Sequence, residues 1–322
     1  MSLSTVDAFK HIRSGELVTL DTEQLQQLQA VLTGILDDIV SVCDRCGLVY
    51  VLGGGSALGA YRHHGFIPWD DDIDINMPRA DYDRFIPEFR KEFGDKYWIH
   101  TPQDTHNYGL MLSRILLKGT SVKTREDFQN SECGAFVDLF IIENTYDSRF
   151  LRALHGFGCM AYGFLVSCRK FYRDREPLMR LACSTGDRSL QRKFRTKIVF
   201  GALLSWRSLD GLVKDGDRWN RRCRNGRSKY VSIPTGRRVF WGELYERSEI
   251  CDTVELPYCG RMRKCPAAIE QYLTRLFGDY NRIPPVEERE SHAFFRPFSL
   301  GDAAGKDLTG TTEPQGGGGK TD

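Results

Sequence analysis

The chain reads as a mixed α/β (α+β) protein, a mixed sheet flanked by helices with a helical insert and a C-terminal extension, and three observations predict this class. Apolar residues at Leu25, Leu28, Leu32, Ile35, Leu36, Ile39 and Cys43 recur with the 3.6-residue period of an amphipathic helix. An apolar run at 48–52 enters the turn Gly53-Gly54-Gly55, and soon afterwards Asp70-Asp71-Asp72-Ile73-Asp74-Ile75 alternates acidic and apolar residues as a half-buried strand does. A third run, Gly134 to Ile142, is apolar apart from Asp138.

Taken in order, helix 22–43 packs on a sheet begun by strand 48–52. The glycine turn then opens a short helical segment whose first backbone N–H groups can hold phosphate oxygens, with Arg62 one or two turns further on. Strand 72–77 is followed by a helix from about Arg79 to Phe93 and by extended segments at 97–100, 110–117 and 135–142. Residues 148–214 read mostly as helices, and Pro266 to Phe277 as another with Pro266 in its first turn. From Gly301 apolar content falls, and the chain runs into Gly316 to Gly319. The expected organisation is an N-terminal segment 1–20, a catalytic domain 21–297 containing a basic helical insert at 148–230, and a disordered tail 298–322.

The acidic strand carries the chemistry. If it is extended from residue 70, Asp70, Asp72 and Asp74 share one face while Asp71, Ile73 and Ile75 take the other. Carboxylates this close destabilise one another unless a cation neutralises them, and oxygen ligands suit a hard ion, Mg2+ or Mn2+. A solvated acidic turn would not need the interleaved isoleucines. An EF-hand fails as well: counted from Asp70, Ile75 stands where the loop needs Gly and Asp81 where it needs Glu. The glycine turn is neither a Walker loop, which ends Gly-Lys-Ser/Thr, nor a dinucleotide fingerprint, whose third glycine would fall on Leu58. Asp138 is costly inside its apolar strand without a partner, so it is expected to complete the metal site or to take a proton from an attacking hydroxyl.

These residues resemble the LicD family of phosphocholine transferases, which includes fukutin-type ribitol-phosphate transferases and lies within the nucleotidyltransferase superfamily. The resemblance is carried by Leu52 to His63, Gly65 to Ile75, Met77-Pro78-Arg79, Asp81-Tyr82, Arg84-Phe85, Gly134 to Phe140, Gly278-Asp279-Tyr280, Pro284-Pro285 and His292. It implies a nucleotidyltransferase-like fold. It also implies transfer of phosphocholine or a similar alcohol phosphate from a CDP-alcohol donor to a hydroxyl of a cell-surface glycan or its lipid-linked precursor, with release of CMP. On the matching positions, Asp70, Asp72, Asp74 and Asp138 would hold the metal, with Asp72, Asp74 and Asp138 catalytic. Gly54, Gly55, Ser56 and Arg62 would hold the donor phosphates. The chain departs from the family at Ser56, usually Thr, at His64, usually Lys, and at Phe140-Ile141, usually Phe-Pro.

Two other enzymatic readings fit an Asp-x-Asp site: a nucleotide-sugar glycosyltransferase, and a nucleotidyltransferase acting on RNA or a small molecule. A silent binding member would have little reason to keep three cleft carboxylates. At 41% hydrophobic and 27% charged, the 322 residues suit a globular protein with a sizeable core. Met1 to Gly15 lacks an uninterrupted apolar core of signal-peptide length, and no stretch reaches the roughly 18 apolar residues of a spanning helix. The expected location is therefore cytoplasmic or peripheral at the inner face of the membrane. Ten scattered cysteines read as free thiols. Phe157 to Cys168 and Ile198 to Trp206 are expected to be buried helices or faces resting on a membrane. Net charge is only +2, but between Arg169 and Lys197 ten basic residues face three acidic ones, and Arg221, Arg222 and Arg224 follow. That run is a solvated face, or a track for an anionic acceptor or membrane; nucleic acid is the least favoured partner.

Overall fold

The computed structural model describes residues 17–289, 292 and 294–303. In chain order its strands are β1 (Leu17–Val18), β2 (Val51–Leu52), β3 (Ile73–Pro78), β4 (Tyr97–His100), β5 (Ser113–Leu117), β6 (Ser121–Lys123), β7 (Phe136–Asn144), β8 (Tyr230–Ser232), β9 (Leu244–Glu246), β10 (Thr253–Tyr258), β11 (Arg261–Pro266) and β12 (Phe294–Ser299). The helices are α1 (Thr22–Cys46), α2 (Gly54–His63), α3 (Arg79–Phe93), α4 (Arg149–Arg173), α5 (Arg175–Ser184), α6 (Arg188–Leu203), α7 (Leu209–Asn220) and α8 (Ile269–Phe277), apart from single helical turns.

Asp21 opens α1 through a capping box with Gln24, and Gly47, at φ 61°, ends it in the left-handed region that glycine tolerates. The apolar stripe expected from its sequence is its buried face, with Leu28, Leu32, Ile35, Leu36, Ile39 and Cys43 all in the core. They pack against a mixed sheet of order β2-β3-β7-β5-β4, extended by β8 on β7 and β9 on β8. The pair β3 and β7 is parallel, and the other neighbours are antiparallel. Helix α3 spans the predicted residues and buries Phe85 and Phe89 against the same core.

Several local expectations change. The strand expected at 48–52 is paired only at Val51–Leu52, although Leu48 and Tyr50 are buried. The hairpin of β10 and β11 was not foreseen, because six alternating positions with charges at Glu255, Arg261, Arg263 and Lys264 give little apolar periodicity. Pro266 is the last residue of β11 and not the first turn of a helix; α8 starts at Ile269. The C-terminal extension contributes β12, which pairs with β1 and β6. Residues 298–303 thus lie in β12 and a 3-10 turn, while the rest of the expected tail, and segment 1–16, fall outside the described residues.

The insert is four helices with two small cores: Phe171, Leu178, Leu181, Leu190 and Phe194 join Phe295 of β12 in one, and Val166, Leu209, Leu212 and Val213 join Met111 in the other. Buried Arg79, at the start of α3, ties this insert to the sheet by pairing with Glu143 on β7 and with Asp217 on α7 at 2.7 Å. The expectation that 157–168 and 198–206 are buried helices holds for one face only. Cys159, Val166 and Cys168 point inward, but Phe157, Met160, Val199, Phe200, Leu203 and Trp206 are exposed. No described helix is long and apolar enough to cross a membrane.

Candidate active site

Register assembles the centre of the site. Asp74 on β3 pairs with Asp138 on β7, and Asp138 pairs in turn with Arg114 on β5. Directly opposed residues point to the same side of a sheet, so two carboxylates and a guanidinium stand in a row across three strands. They line a cleft of about 620 Å³ together with Asp70, Asp71 and Asp72 from the segment leading into β3. Gly55, Leu58 and Arg62 of α2 form one wall, and the C-terminal part of the chain supplies Arg237, Tyr280 and His292.

The glycine turn seats these acids. Gly54 has φ 44°, and a Cβ there would stand 2.5 Å from Asp74 Oδ2. A Cβ on Gly55 would stand 2.7 Å from Asp70 Oδ2. Side chains at either position would push a carboxylate out of place. Of the four residues expected at the donor phosphates, the structure brings Gly55 and Arg62 to the cleft. The Gly54 N–H donates to Tyr272 Oη at 2.9 Å, and the buried Ser56 hydroxyl accepts from the Asp74 N–H at 3.0 Å, so these two groups are spent inside the fold. Arg62 is held by donating to the Tyr280 carbonyl at 2.7 Å and to His63 Nε2 at 2.9 Å. His64 is exposed at the end of α2 and does not reach the cleft.

The acidic row departs from strict alternation. Asp70 to Asp72 precede β3, so Asp71 does not join the isoleucines in the core. It is buried at the cleft floor and accepts from the backbone N–H of His292 at 2.8 Å and from its Nδ1, also at 2.8 Å. Asp72 lies 3.7 Å from the same nitrogen. Burial raises the Asp72 carboxyl to about 6 even though His292 opposes the rise. Asp70 and Asp74 are driven well above the carboxylate range, by burial first and by the Asp72 charge next. For His292 burial opposes charging, but Asp71 and Asp72 outweigh it and lift the imidazole to about 10. Asp138 is gripped by Arg114 through both oxygens, Nε to Oδ1 at 2.7 Å and Nη2 to Oδ2 at 3.0 Å.

This donor set fits a hard cation. Asp71, Asp72 and His292 offer ligand atoms within 4.8 Å of one another. Asp70 Oδ2 is buried without a hydrogen-bond partner among the described residues, an arrangement that a cation would relieve. Of the expected metal residues, Asp72 belongs to the converging group, Asp70 and Asp74 flank it, and Asp138 stands beside it in the grip of Arg114. Asp71, His292 and Arg114 were not singled out from sequence as site residues. His292 stood only as an isolated matching position, and Arg114 lay in a segment read as plain strand.

The fold and cleft define a mixed α/β protein with an acid-floored, arginine-lined pocket of the size that takes a nucleotide-like ligand. Residues 47–151, which carry α2, β3, α3 and β7 up to its end, match the family described as LicD/FKTN/FKRP, nucleotidyltransferase domain. Over 278 residues, 86% of this chain and 98% of the relative, the sequence is 24% identical to the lipopolysaccharide cholinephosphotransferase LicD of Haemophilus influenzae. A 39-residue stretch is 49% identical to the ribitol 5-phosphate transferase FKRP of Homo sapiens and of Mus musculus, covering 12% of this chain and 8% of that protein. Both kinds of relative are, by their names, transferases of phosphate-containing groups.

Proposed function

We propose that this chain is a metal-dependent phosphotransferase that moves an alcohol phosphate, phosphocholine or a close analogue, from a CDP-activated donor to a glycan hydroxyl, releasing CMP. One observation carries the reading: the N-terminal turn of α2 and Arg62 face the Asp70–Asp74 carboxylates and the Asp138–Arg114 pair across a single cleft. Phosphoryl transfer needs charge neutralisation and positioning more than covalent help, and that is what these groups can supply.

Asp72 with Asp71 or Asp74 would hold the cation, with Asp70 assisting, and the ion would neutralise the diphosphate and stabilise charge on the transferring phosphoryl oxygens. Mg2+ is the preferred ion and Mn2+ the substitute. Gly55 and Ser56 lie in the first turn of α2, ahead of the first intrahelical bond from Ala57 to Gly53, so donor phosphate oxygens would accept from their N–H groups and from Arg62. Arg114 holds Asp138 through both carboxylate oxygens, which supports the role of a fixed anionic ligand over that of a proton acceptor. A glycan or lipid-linked glycan acceptor would enter between the wall of Arg237 and Tyr280 and the acidic floor. No residue of 148–230 lines this cleft, so the basic insert acts elsewhere.

The test is product analysis with a panel of CDP-alcohols, nucleotide sugars and nucleoside triphosphates in Mg2+. CMP from a CDP-alcohol is the expected product. A nucleoside diphosphate from a sugar donor would make the chain a glycosyltransferase, and pyrophosphate from a triphosphate would make it a nucleotidyltransferase.

A further inference from the structure

The helical insert leaves one face that neither the core nor the cleft explains. Along α4, Phe150, Leu154, Phe157 and Ala161 follow at the spacing of one helix side, and all are exposed, Phe150 to 77% and Phe157 to 68%. Helix α6 packs beside α4, and the Phe164 and Phe200 rings meet across them at 6.0 Å. On α6, Arg188, Arg192, Arg195, Val199 and Leu203 occupy one stripe, and Trp206 follows in the next turn. Leu203 is 69% exposed and Trp206 78%. Phe157 also meets the exposed Trp241 ring, so the apolar surface continues past the helix pair. A patch of this extent on a globular surface marks a binding face.

Charge says what it binds. Arg188, Arg192 and Arg195 are exposed, line one hollow of about 560 Å³ with Val199 and Phe200, and meet no carboxylate within salt-bridge distance among the described residues. A cationic half-stripe that becomes aromatic and aliphatic along the same helix side matches a phosphate headgroup layer above acyl chains. A protein partner would more often meet the apolar centre first, with the charges as a rim around it. We propose that the α4–α6 face docks this protein in the interface of an anionic phospholipid bilayer, arginines on the headgroup phosphates and Phe157, Leu203 and Trp206 below them. The insert is tied to the cleft: Lys170 of α4 pairs at 2.7 Å with Glu126, which lines it. Docking would therefore hold the cleft at a fixed place near the membrane surface. This docking requires neither donor nor acceptor in the cleft.

Flotation of the full chain with vesicles tests it. Vesicles of phosphatidylglycerol and phosphatidylcholine in equal parts should carry the parent, and vesicles of phosphatidylcholine alone should carry far less. Leu203→Glu with Trp206→Glu should abolish flotation, while Arg188→Gln, Arg192→Gln and Arg195→Gln together should lower affinity for the anionic vesicles on the order of a hundredfold and remove most of its salt dependence. All these side chains are exposed, so melting temperatures should match the parent and certify folding. A folded parent that stays with buffer overturns the proposal, as does equal flotation of parent and both variants. Sedimentation velocity provides the last arm: a dimer dissociated by Leu203→Glu with Trp206→Glu, with no vesicle binding, would assign the face to a second copy of the chain.

Discussion

Replacing Arg114 with Met should be the most revealing single change at the floor of the cleft. Its guanidinium is buried, makes two charge-assisted bonds to Asp138, and lies 3.8 Å from the centre of the Phe136 ring. Methionine fills much of the same volume against Phe136 but leaves the Asp138 carboxylate beside Asp72 and Asp74 with no counter-charge on β5. Breaking a buried pair from one side costs about 3–5 kcal/mol, which in a protein of this size lowers the melting midpoint on the order of 10 °C. Urea unfolding in EDTA should show that loss, and the double change Arg114→Met with Asp138→Asn should recover a good part of it because the orphaned charge is gone. Saturating Mg2+ should stabilise Arg114→Met by more than it stabilises the parent, since the cation then replaces the missing charge. A loss under about 1 kcal/mol, or a double variant no more stable than Arg114→Met alone, would refute the view that this pair balances the acidic row.

Other outcomes follow from the same geometry. Gly55→Ala should displace Asp70 and cut transfer roughly a hundredfold with little change in circular dichroism, because the new Cβ would stand 2.7 Å from Asp70 Oδ2; full activity would show that the carboxylate is free to move. Arg62→Ala should weaken donor binding by about 1.5–3 kcal/mol, whereas Ser56→Ala should leave donor affinity alone and cost about 1–3 kcal/mol of stability by orphaning the Asp74 N–H, both readable by calorimetry and urea melts. Asp72→Asn and Asp74→Asn should each abolish transfer while leaving the EDTA-treated fold as stable or slightly more so. In the metal-free protein the contribution of His292, whose imidazole is raised from its ordinary 6.5 to about 10, is complete below pH 6.5 and declines as pH rises toward 10. His292→Gln should flatten melting temperature against pH across that window, and an unchanged slope would place the titration elsewhere.

What the sequence disclosed was the part written in periodicity and residue cost. The stripe of α1, the span of α3 and the acid-then-isoleucine pattern of β3 could be read because each alternates in step with its own geometry. Asp138 could be read because a lone carboxylate among apolar residues needs a partner, but the partner could not: Arg114 lies 24 residues away and meets Asp138 only through strand register. His292 is more remote still, brought to Asp71 across 221 residues by the C-terminal segment. Ser56 and Gly54 looked like phosphate ligands because sequence cannot tell a free donor from one already satisfied by Tyr272 or by the backbone of β3. The hairpin of β10 and β11 escaped because charged residues, the buried Arg263 among them, interrupt its apolar alternation. For α4 and α6 the sequence left burial and an exposed apolar face as alternatives, since an apolar run suggests either until the packing is known.

The central claim, that the acidic cleft joins an alcohol phosphate to a glycan, is tested most directly by following phosphorus. Parent and Asp72→Asn are incubated in parallel with Mg2+, a CDP-alcohol and a glycan acceptor while 31P NMR resolves donor diphosphate, CMP and any new phosphodiester. The account predicts that in the parent alone the diphosphate signals decline as CMP and a glycan-linked phosphodiester grow in equal amounts. Equal turnover by Asp72→Asn, or diphosphate consumed by the parent without a phosphodiester appearing on the glycan under any donor in the panel, would contradict it.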